Sequence, residues 1–216
     1  MCTSGRFSYL PLLVSFFLVG AANAQKPALN KGEFSGLIRA GIVASQIHND
    51  DIGGFNKFGG TLGGGVFTPI SEELNLQMEI NYAMRGSRKR PNPKSGDLTT
   101  FAIEPHYVDV PILLKKFIWK FEFEAVLNNG FFLFSRISDP NFLLPTSVKE
   151  FNRYELAANL GVNVPINEFW HTNVRLHYSI TPASGRLQFV NGFSLLGGAY
   201  NNAITFSVNR VFYPKD

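Results

Sequence analysis

The stretch Leu74-Asn75-Leu76-Gln77-Met78-Glu79-Ile80-Asn81-Tyr82-Ala83-Met84-Arg85 decides the fold of this chain. Apolar residues occupy its even-numbered positions, and polar residues occupy every odd-numbered position except Ala83. Successive side chains of a β-strand point to opposite faces of the sheet, so the alternation predicts a strand with one apolar and one polar face. The run is long for a strand of a soluble domain and suits a tilted strand that crosses a bilayer.

Seven further segments repeat the period of two. They are Ile38–Ser45, Phe58–Thr68, Val108–Leu114, Phe121–Asn128, Tyr154–Val164, Trp170–Ile180 and Ile204–Asn209. Few segments place apolar residues three and four positions apart, which disfavours amphipathic helices. Eight strands, an even number, predict an all-β fold, specifically a transmembrane antiparallel up-and-down β-barrel.

The connections between the predicted strands alternate in length. Short turns are expected at Pro69–Glu73, Lys116–Lys120 and Pro165–Glu168. Long loops are expected at Ile47–Asn56, Gly86–Thr100, Ser135–Glu150 and Pro182–Ala199. Short periplasmic turns and long outer loops are the plan of outer-membrane barrels.

Aromatic residues cluster near the ends of the predicted strands, which is typical of the two interfacial girdles of a membrane barrel. Trp119 and Trp170, the only tryptophans, fall at the short turns. The expected girdle at the opposite rim contains Tyr82, Tyr107, Phe132, Tyr154, Tyr178 and Tyr200.

The first residues have the features of a cleaved secretory signal. Arg6 supplies the positive charge, Tyr9–Val19 supplies the apolar run, and Ala22-Asn23-Ala24 fits the small-x-small cleavage rule. We therefore expect a signal peptide at 1–24 and a barrel domain at 25–216. The only cysteine, Cys2, would leave with the signal, which excludes disulfides and thiolate chemistry. The net charge of +4 is spread along the chain, so nucleic-acid binding is not expected.

Four segments carry a resemblance to a known family. They are Gly36–Ile42, Gly59–Gly65, Glu79–Ser87 and Tyr107–Lys115, the last reading YVDVPILLK. In this order they resemble the PorT-like outer-membrane β-barrel family of Bacteroidetes over nearly the whole mature chain, departing from it at Lys120–Glu124. The resemblance implies an eight-stranded outer-membrane barrel. It also implies secretion-machinery proteins as partners, because the family's founding member belongs to the type IX secretion machinery.

The polar faces of the predicted strands carry charges of both signs. Those expected to point into the lumen or its rim are Arg39, Glu79, Asp109, Glu122, Glu124, Arg153, Glu155 and Arg175, with Arg85 at the end of its strand. An eight-stranded barrel has room only for its own side chains, so these groups predict a paired polar network. A narrow ion path is the alternative, although a path would favour a lining of one sign.

A basic segment follows the third predicted strand. It contains Arg85, Arg88, Lys89, Arg90 and Lys94. At the outer leaflet such a loop could bind lipopolysaccharide phosphates. A solvated loop without a ligand is the alternative interpretation.

The sequence leaves four functions open. The first is a non-enzymatic scaffold or secretion-machinery subunit, whose surroundings are the lipid bilayer and lipopolysaccharide of the outer membrane. The others are a small porin, an adhesin or lipopolysaccharide-stabilising barrel, and a lipid-modifying enzyme. The enzyme is disfavoured because no G-x-S-x-G elbow occurs and no serine, histidine and carboxylate have a recognisable spacing. No catalytic residue, cofactor site or metal site is predicted.

Overall fold

The computed structural model describes residues 32–48, 54–93, 96–140, 151–184 and 198–214. Its strands are β1 (Ser35–His48), β2 (Lys57–Pro69), β3 (Leu74–Met84), β4 (Ser87–Lys89), β5 (Phe101–Ile118), β6 (Phe121–Ser138), β7 (Tyr154–Pro165), β8 (Trp170–Ser179) and β9 (Tyr200–Phe212). Within these residues there is no helix with the length and apolar character needed to cross a bilayer. The expected signal peptide at 1–24 lies outside the described residues.

Eight of the strands close into an antiparallel barrel. Neighbours in the chain pair with each other, β3 pairs with β5, and β9 returns to pair with β1. The closing ladder runs from Gly36 opposite Phe212 to His48 opposite Tyr200. Closure leaves no barrel strand with an unpaired edge, which a membrane requires because lipid offers no hydrogen bonds. The predicted up-and-down barrel of eight strands is confirmed.

The short strand β4 does not belong to the barrel wall. It pairs with the first residues of β5 beyond the end of β3. Gly86 separates β3 from β4 with a φ of 134°, and a Cβ there would lie 1.9 Å from the carbonyl oxygen of Ile103. Only glycine fits this position, so Gly86 permits the chain to bend from the wall into the β4 extension.

The glycines of β2 allow close approach to β3. A Cβ on Gly63 would lie 2.3 Å from the Ile80 carbonyl oxygen, and one on Gly65 would lie 2.3 Å from that of Met78. Segment 58–68 forms a strand, as predicted, despite its weak alternation. Its glycines allow the backbones of β2 and β3 to pack closely in a narrow barrel.

The barrel is apolar outside and polar inside. On β3 the outward residues Leu76, Met78 and Ile80 are 41%, 50% and 61% exposed, whereas inward Glu79 is 1% exposed. Exposed large apolar side chains occur on every wall strand. This arrangement suits a bilayer as the surrounding solvent and would expose a large apolar surface in water.

The strands β5 and β6 are longer than predicted, with 18 residues each. Their ladder contains a bulge, since His106 pairs with Phe134 and Tyr107 pairs with Phe132. The extra residue, Leu133, interrupts the alternation at the point where the hairpin leaves the barrel wall. The period of two therefore could not be followed through this part of the sequence.

The aromatic residues divide differently from the expectation. Trp119 in the β5–β6 turn is 90% exposed, and Trp170 at the start of β8 is 40% exposed. Tyr107 and Tyr200, expected in the opposite girdle, are buried inside the barrel. The reason is strand parity, because Tyr107 lies two residues from inward Asp109 and shares its face.

Candidate functional site: the lumen and the outer rim

Four charged side chains from four strands meet in the lumen. Arg39 Nη1 lies 3.2 Å from Glu79 Oε2, and Arg175 Nη2 lies 3.1 Å from Glu79 Oε1. Arg175 Nε lies 2.5 Å from Glu124 Oε1. We call Arg39, Glu79, Glu124 and Arg175 the central cluster; its two cations and two anions balance each other.

Amide side chains complete the hydrogen bonding of the central cluster. Gln77 and Asn81 donate to Glu79 at 2.5 and 2.7 Å, and Asn163 donates to Glu124 at 3.0 Å. Arg39 Nη2 donates to Asn173 Oδ1 at 2.6 Å. Buried charges are tolerated only when they are paired and hydrogen-bonded, so the amides are part of what holds this polar core together.

Below the central cluster, toward the short turns, the lumen continues as one ion pair and then becomes apolar. Lys115 Nζ lies 3.2 Å from Glu122 Oε2, and Asn75 donates to Glu122 at 3.0 Å. Beyond this pair lies an apolar cluster, the lower plug, formed by Leu37, Phe67, Val211 and Tyr213.

Above the central cluster, toward the long loops, Arg85 lies inside the barrel. It pairs with Asp109, lies 3.5 Å from Glu155, and stacks 5.0 Å from the Tyr107 ring centroid. His177 Nε2 also lies 3.0 Å from Glu155. Arg85 therefore lies in the lumen, as the alternation along β3 predicted, and not in the basic surface loop to which it was also assigned; the bend follows only at Gly86.

A second apolar cluster, the upper plug, lies toward the outer end of the barrel. Its buried members are Ile47, Phe101, Ile103 and Ala199, with Ile137 and Phe151 packed against them. The lumen is thus polar at its centre, with an apolar cluster toward each end. Neither plug was predicted, because Leu37 and Ile47 have inward parity but lie just outside the predicted segment Ile38–Ser45.

A cavity of about 30 Å³ lies between the central cluster and Arg85. Several buried atoms on its lining side chains have no hydrogen-bond partner, although Arg85 Nη1 lies within ion-pair distance of Glu155: Asn81 Oδ1, Arg85 Nη1, Asp109 Oδ1, Asn128 Nδ2 and Asn159 Oδ1. A space of this size and polarity accommodates about one or two water molecules.

Two of the predicted site residues are not found where they were expected. Arg153, expected in the lumen network, is exposed just before β7, because the inward alternation of that strand begins only at Glu155. Lys94 of the basic loop lies outside the described residues. The other predicted lumen residues, Arg39, Glu79, Asp109, Glu122, Glu124, Glu155 and Arg175, are all buried.

The basic loop is partly neutralised. Lys89 Nζ lies 3.0 Å from Asp97 Oδ2. Hydrogen bonds from Thr99 and Lys89 lower the pKa of Asp97 to about 2, so this carboxylate is charged at neutral pH. Arg88 and Arg90 are exposed. Two arginines of the predicted set therefore remain available at the surface.

A third exposed arginine joins them from β6. Arg88 lies opposite Ala102, and Arg136 lies opposite Glu104 two residues farther along β5, so both point to the same face. Strand spacing puts their Cα atoms roughly 12 Å apart. We call Arg88, Arg90 and Arg136 the basic rim. Arg136 was missed because strand pairing, not proximity in sequence, brings it beside Arg88.

Two of the four histidines, His106 and His177, have structural partners. His177 bonds Glu155, while Ser179 on the same strand bonds the Asn201 backbone at 3.0 Å. His106 bonds the Tyr82 hydroxyl and stacks on Phe134 at 4.3 Å. Among the residues that can be described, no group of three or more histidine, cysteine, aspartate or glutamate side chains is arranged to hold a metal ion.

No protein-family model matches the chain, and no curated protein is significantly similar to it. Several solved structures are similar. Ail, the attachment invasion locus protein of Yersinia pestis, has 12% identity and a TM-score of 0.48 over 83% of this chain and 99% of that chain. Neisserial surface protein A has 8% identity and a TM-score of 0.49 over 81% and 96%. The outer membrane protein OprG of Pseudomonas aeruginosa has 12% identity and a TM-score of 0.40 over 87% and 100%.

The closed barrel with an apolar wall, a polar interior and short turns at one end has the architecture of an outer-membrane protein. The chain is an outer-membrane β-barrel.

Proposed function

We propose that this protein is a non-enzymatic scaffold of the outer membrane and serves as a subunit of a PorT-like protein-secretion machinery. The observation that supports a scaffold role is that side chains fill the lumen. Ion pairs occupy its centre, and the upper and lower plugs lie toward its two ends. A barrel filled in this way works through its rims and loops, where partners bind, and its wall serves as the anchor.

Support for the PorT-like part comes from the segment Tyr107–Lys115. Its inward residues make lumen contacts: Tyr107 accepts a hydrogen bond from Asn201 at 3.1 Å, Asp109 pairs with Arg85, and Lys115 pairs with Glu122. The motif that resembles the family is thus part of what organises this barrel. The secretion role rests on this resemblance.

The test is the culture-medium proteome of a strain that lacks the gene, compared with its parent and with a complemented strain. We expect proteins with type IX sorting tails to disappear from the medium and to accumulate in the periplasm. Immunoblots of an unrelated outer-membrane barrel control for general damage to the membrane. Unchanged secretion would exclude the secretion role and leave the scaffold without this partner.

A second candidate is anchoring to lipopolysaccharide through the basic rim. Arg88, Arg90 and Arg136 are exposed at the end of the barrel that carries the long loops. Arginine's planar fork suits phosphate oxygens. Replacing the three with glutamine should sensitise cells to detergent while secretion stays intact, and replacing exposed Arg153 is the matched control. Equal sensitivity of the rim variant and the parent would remove this candidate.

A further inference from the structure

Arg210 lies between two aromatic rings on the outside of the barrel. Its guanidinium carbon is 5.6 Å from the ring centroid of Trp170 and 5.3 Å from that of Phe212. A cation held over two ring faces has a restricted orientation, because both rings attract it electrostatically. The guanidinium group is planar, so its N–H groups point outward past the edges of the rings and can donate to a ligand.

The strand pairing places Arg210 on the lipid-facing side. It lies opposite Trp170 on β8 and opposite Ile38 on β1, and these two side chains are 40% and 53% exposed. Residues directly opposite in a sheet share a face, so Arg210 points outward with them. Val208 and Phe212, the residues two positions away on its own strand, share that face and are uncharged.

The depth of Arg210 corresponds to the lipid headgroups. Phe212 is the last residue of β9, and Trp170 is the first of β8, so the arginine lies in the aromatic girdle at the short-turn end. Cations on a membrane wall are stable where their charge reaches the interface. The anion found at that level on this face is the phosphate of a lipid.

We propose that Arg210, held by Trp170 and Phe212, binds the phosphate of a phospholipid in the leaflet at the short-turn, periplasmic end. The guanidinium donates to the phosphate oxygens, and the two rings bury its flat faces. The basic rim lies at the opposite end of the barrel, so the two sets of arginines contact different leaflets.

The wall beside Trp170 provides a surface for the acyl chain. Val174 and Leu176 follow Trp170 on the outward face of β8. They also line an apolar groove of about 610 Å³ that extends away from Arg210, across Leu160 on β7 and Phe123 on β6. From Trp170 to Leu176 the strand rises roughly 20 Å, which is comparable to an extended acyl chain. The outward side chains of β8 from Trp170 to Leu176 therefore offer a surface for the chain of a lipid whose headgroup is at Arg210.

The test uses the two tryptophans. Trp119→Phe leaves Trp170 as the only tryptophan of the protein, so its emission reports on the proposed site. The folded W119F barrel in an uncharged sugar detergent is titrated with phosphatidylglycerol. We expect a saturable change in Trp170 emission, and we expect Arg210→Gln to weaken binding about tenfold through loss of a charge-assisted hydrogen bond. Arg210→Lys, which keeps the charge without the fork, should be intermediate.

Arg153→Gln in the same W119F background is the matched control, because Arg153 is exposed at the opposite end of the barrel, and it should bind phosphatidylglycerol like the parent. Heat-dependent migration in SDS gels verifies that each variant is folded. If folded R210Q binds phosphatidylglycerol with the same affinity as the parent, Arg210 is not a phospholipid-binding residue. Parallel titration with lipid A identifies the source: if only lipid A binding depends on Arg210, the phospholipid assignment is wrong.

Discussion

The charges in the lumen and the charges on the basic rim have opposite surroundings. Glu79 accepts hydrogen bonds from two guanidinium groups and two amides, all within 3.4 Å. Arg88 and Arg136 are exposed on an outward face. A buried charge without its partner is strongly destabilising, whereas an exposed one contributes little to stability. The lumen charges therefore contribute strongly to the stability of the barrel, and the rim charges are available for an external partner.

The strongest way to test this comparison is to remove the anion at the centre. Glu79→Gln leaves Arg39 and Arg175 facing each other with one carboxylate, Glu124, for both. We expect a loss of about 3–5 kcal/mol in the free energy of unfolding, because a buried ion pair is broken from one side. Urea titration in vesicles, followed by tryptophan emission, measures it.

The matched control is Glu73→Gln in a short turn, where the carboxylate is exposed and lies 3.8 Å from Lys116. Its unfolding midpoint should equal that of the parent. If both variants unfold like the parent, the central cluster is not a structural core, and the contrast between lumen and rim fails.

A smaller loss in the free energy of unfolding is expected at Gly86, where the barrel wall meets the β4 extension that carries Arg88. Gly86→Ala forces a Cβ toward the Ile103 carbonyl oxygen at a φ of 134°. We expect a cost of roughly 1–3 kcal/mol, from backbone strain at a position restricted to glycine. Gly96→Ala is the control, because Gly96 also has a positive φ, of 74°, but has open space around its Cβ position. Equal urea midpoints for the two variants would show that the contact at Gly86 is not restrictive.

The strands of the barrel wall could be predicted from the sequence, but the pairing of side chains inside the lumen could not. Alternation in Leu74–Arg85 already assigns Glu79 to the polar face. Its pairing with Arg175 depends on the registers of several intervening strands, since the two residues are 96 positions apart. The plugs were missed for a related reason: an apolar residue such as Ile103 reveals inward parity only when the strand boundary and the β5–β6 bulge are known.

A modest effect of pH on the stability of the barrel is expected from Tyr213 in the lower plug. Burial raises the pKa of Tyr213 to about 12, against Phe67 and Phe169. Because the folded state raises this pKa, the stabilisation from the neutral phenol is present below pH 10 or so, the ordinary tyrosine value, and is lost as pH rises toward 12. The difference in absorbance at the phenolate band between the parent and Tyr213→Phe should titrate near pH 12. A midpoint at the ordinary tyrosine value would indicate an open lower end.

The smallest expected signal is the ionic current through the barrel, which should be absent. An ion entering the lumen would pass the apolar upper plug, then the salt-bridged central cluster, and then Leu37 and Phe67, losing its hydration in a space already filled by side chains. Planar-bilayer recordings in concentrated potassium chloride should show no discrete openings, with a known porin in the same lipid as the positive control. Stepwise openings from the folded parent would mean that the plugs open in a bilayer. The lumen charges would then line a path as well as hold the fold, and the porin alternative would replace the scaffold.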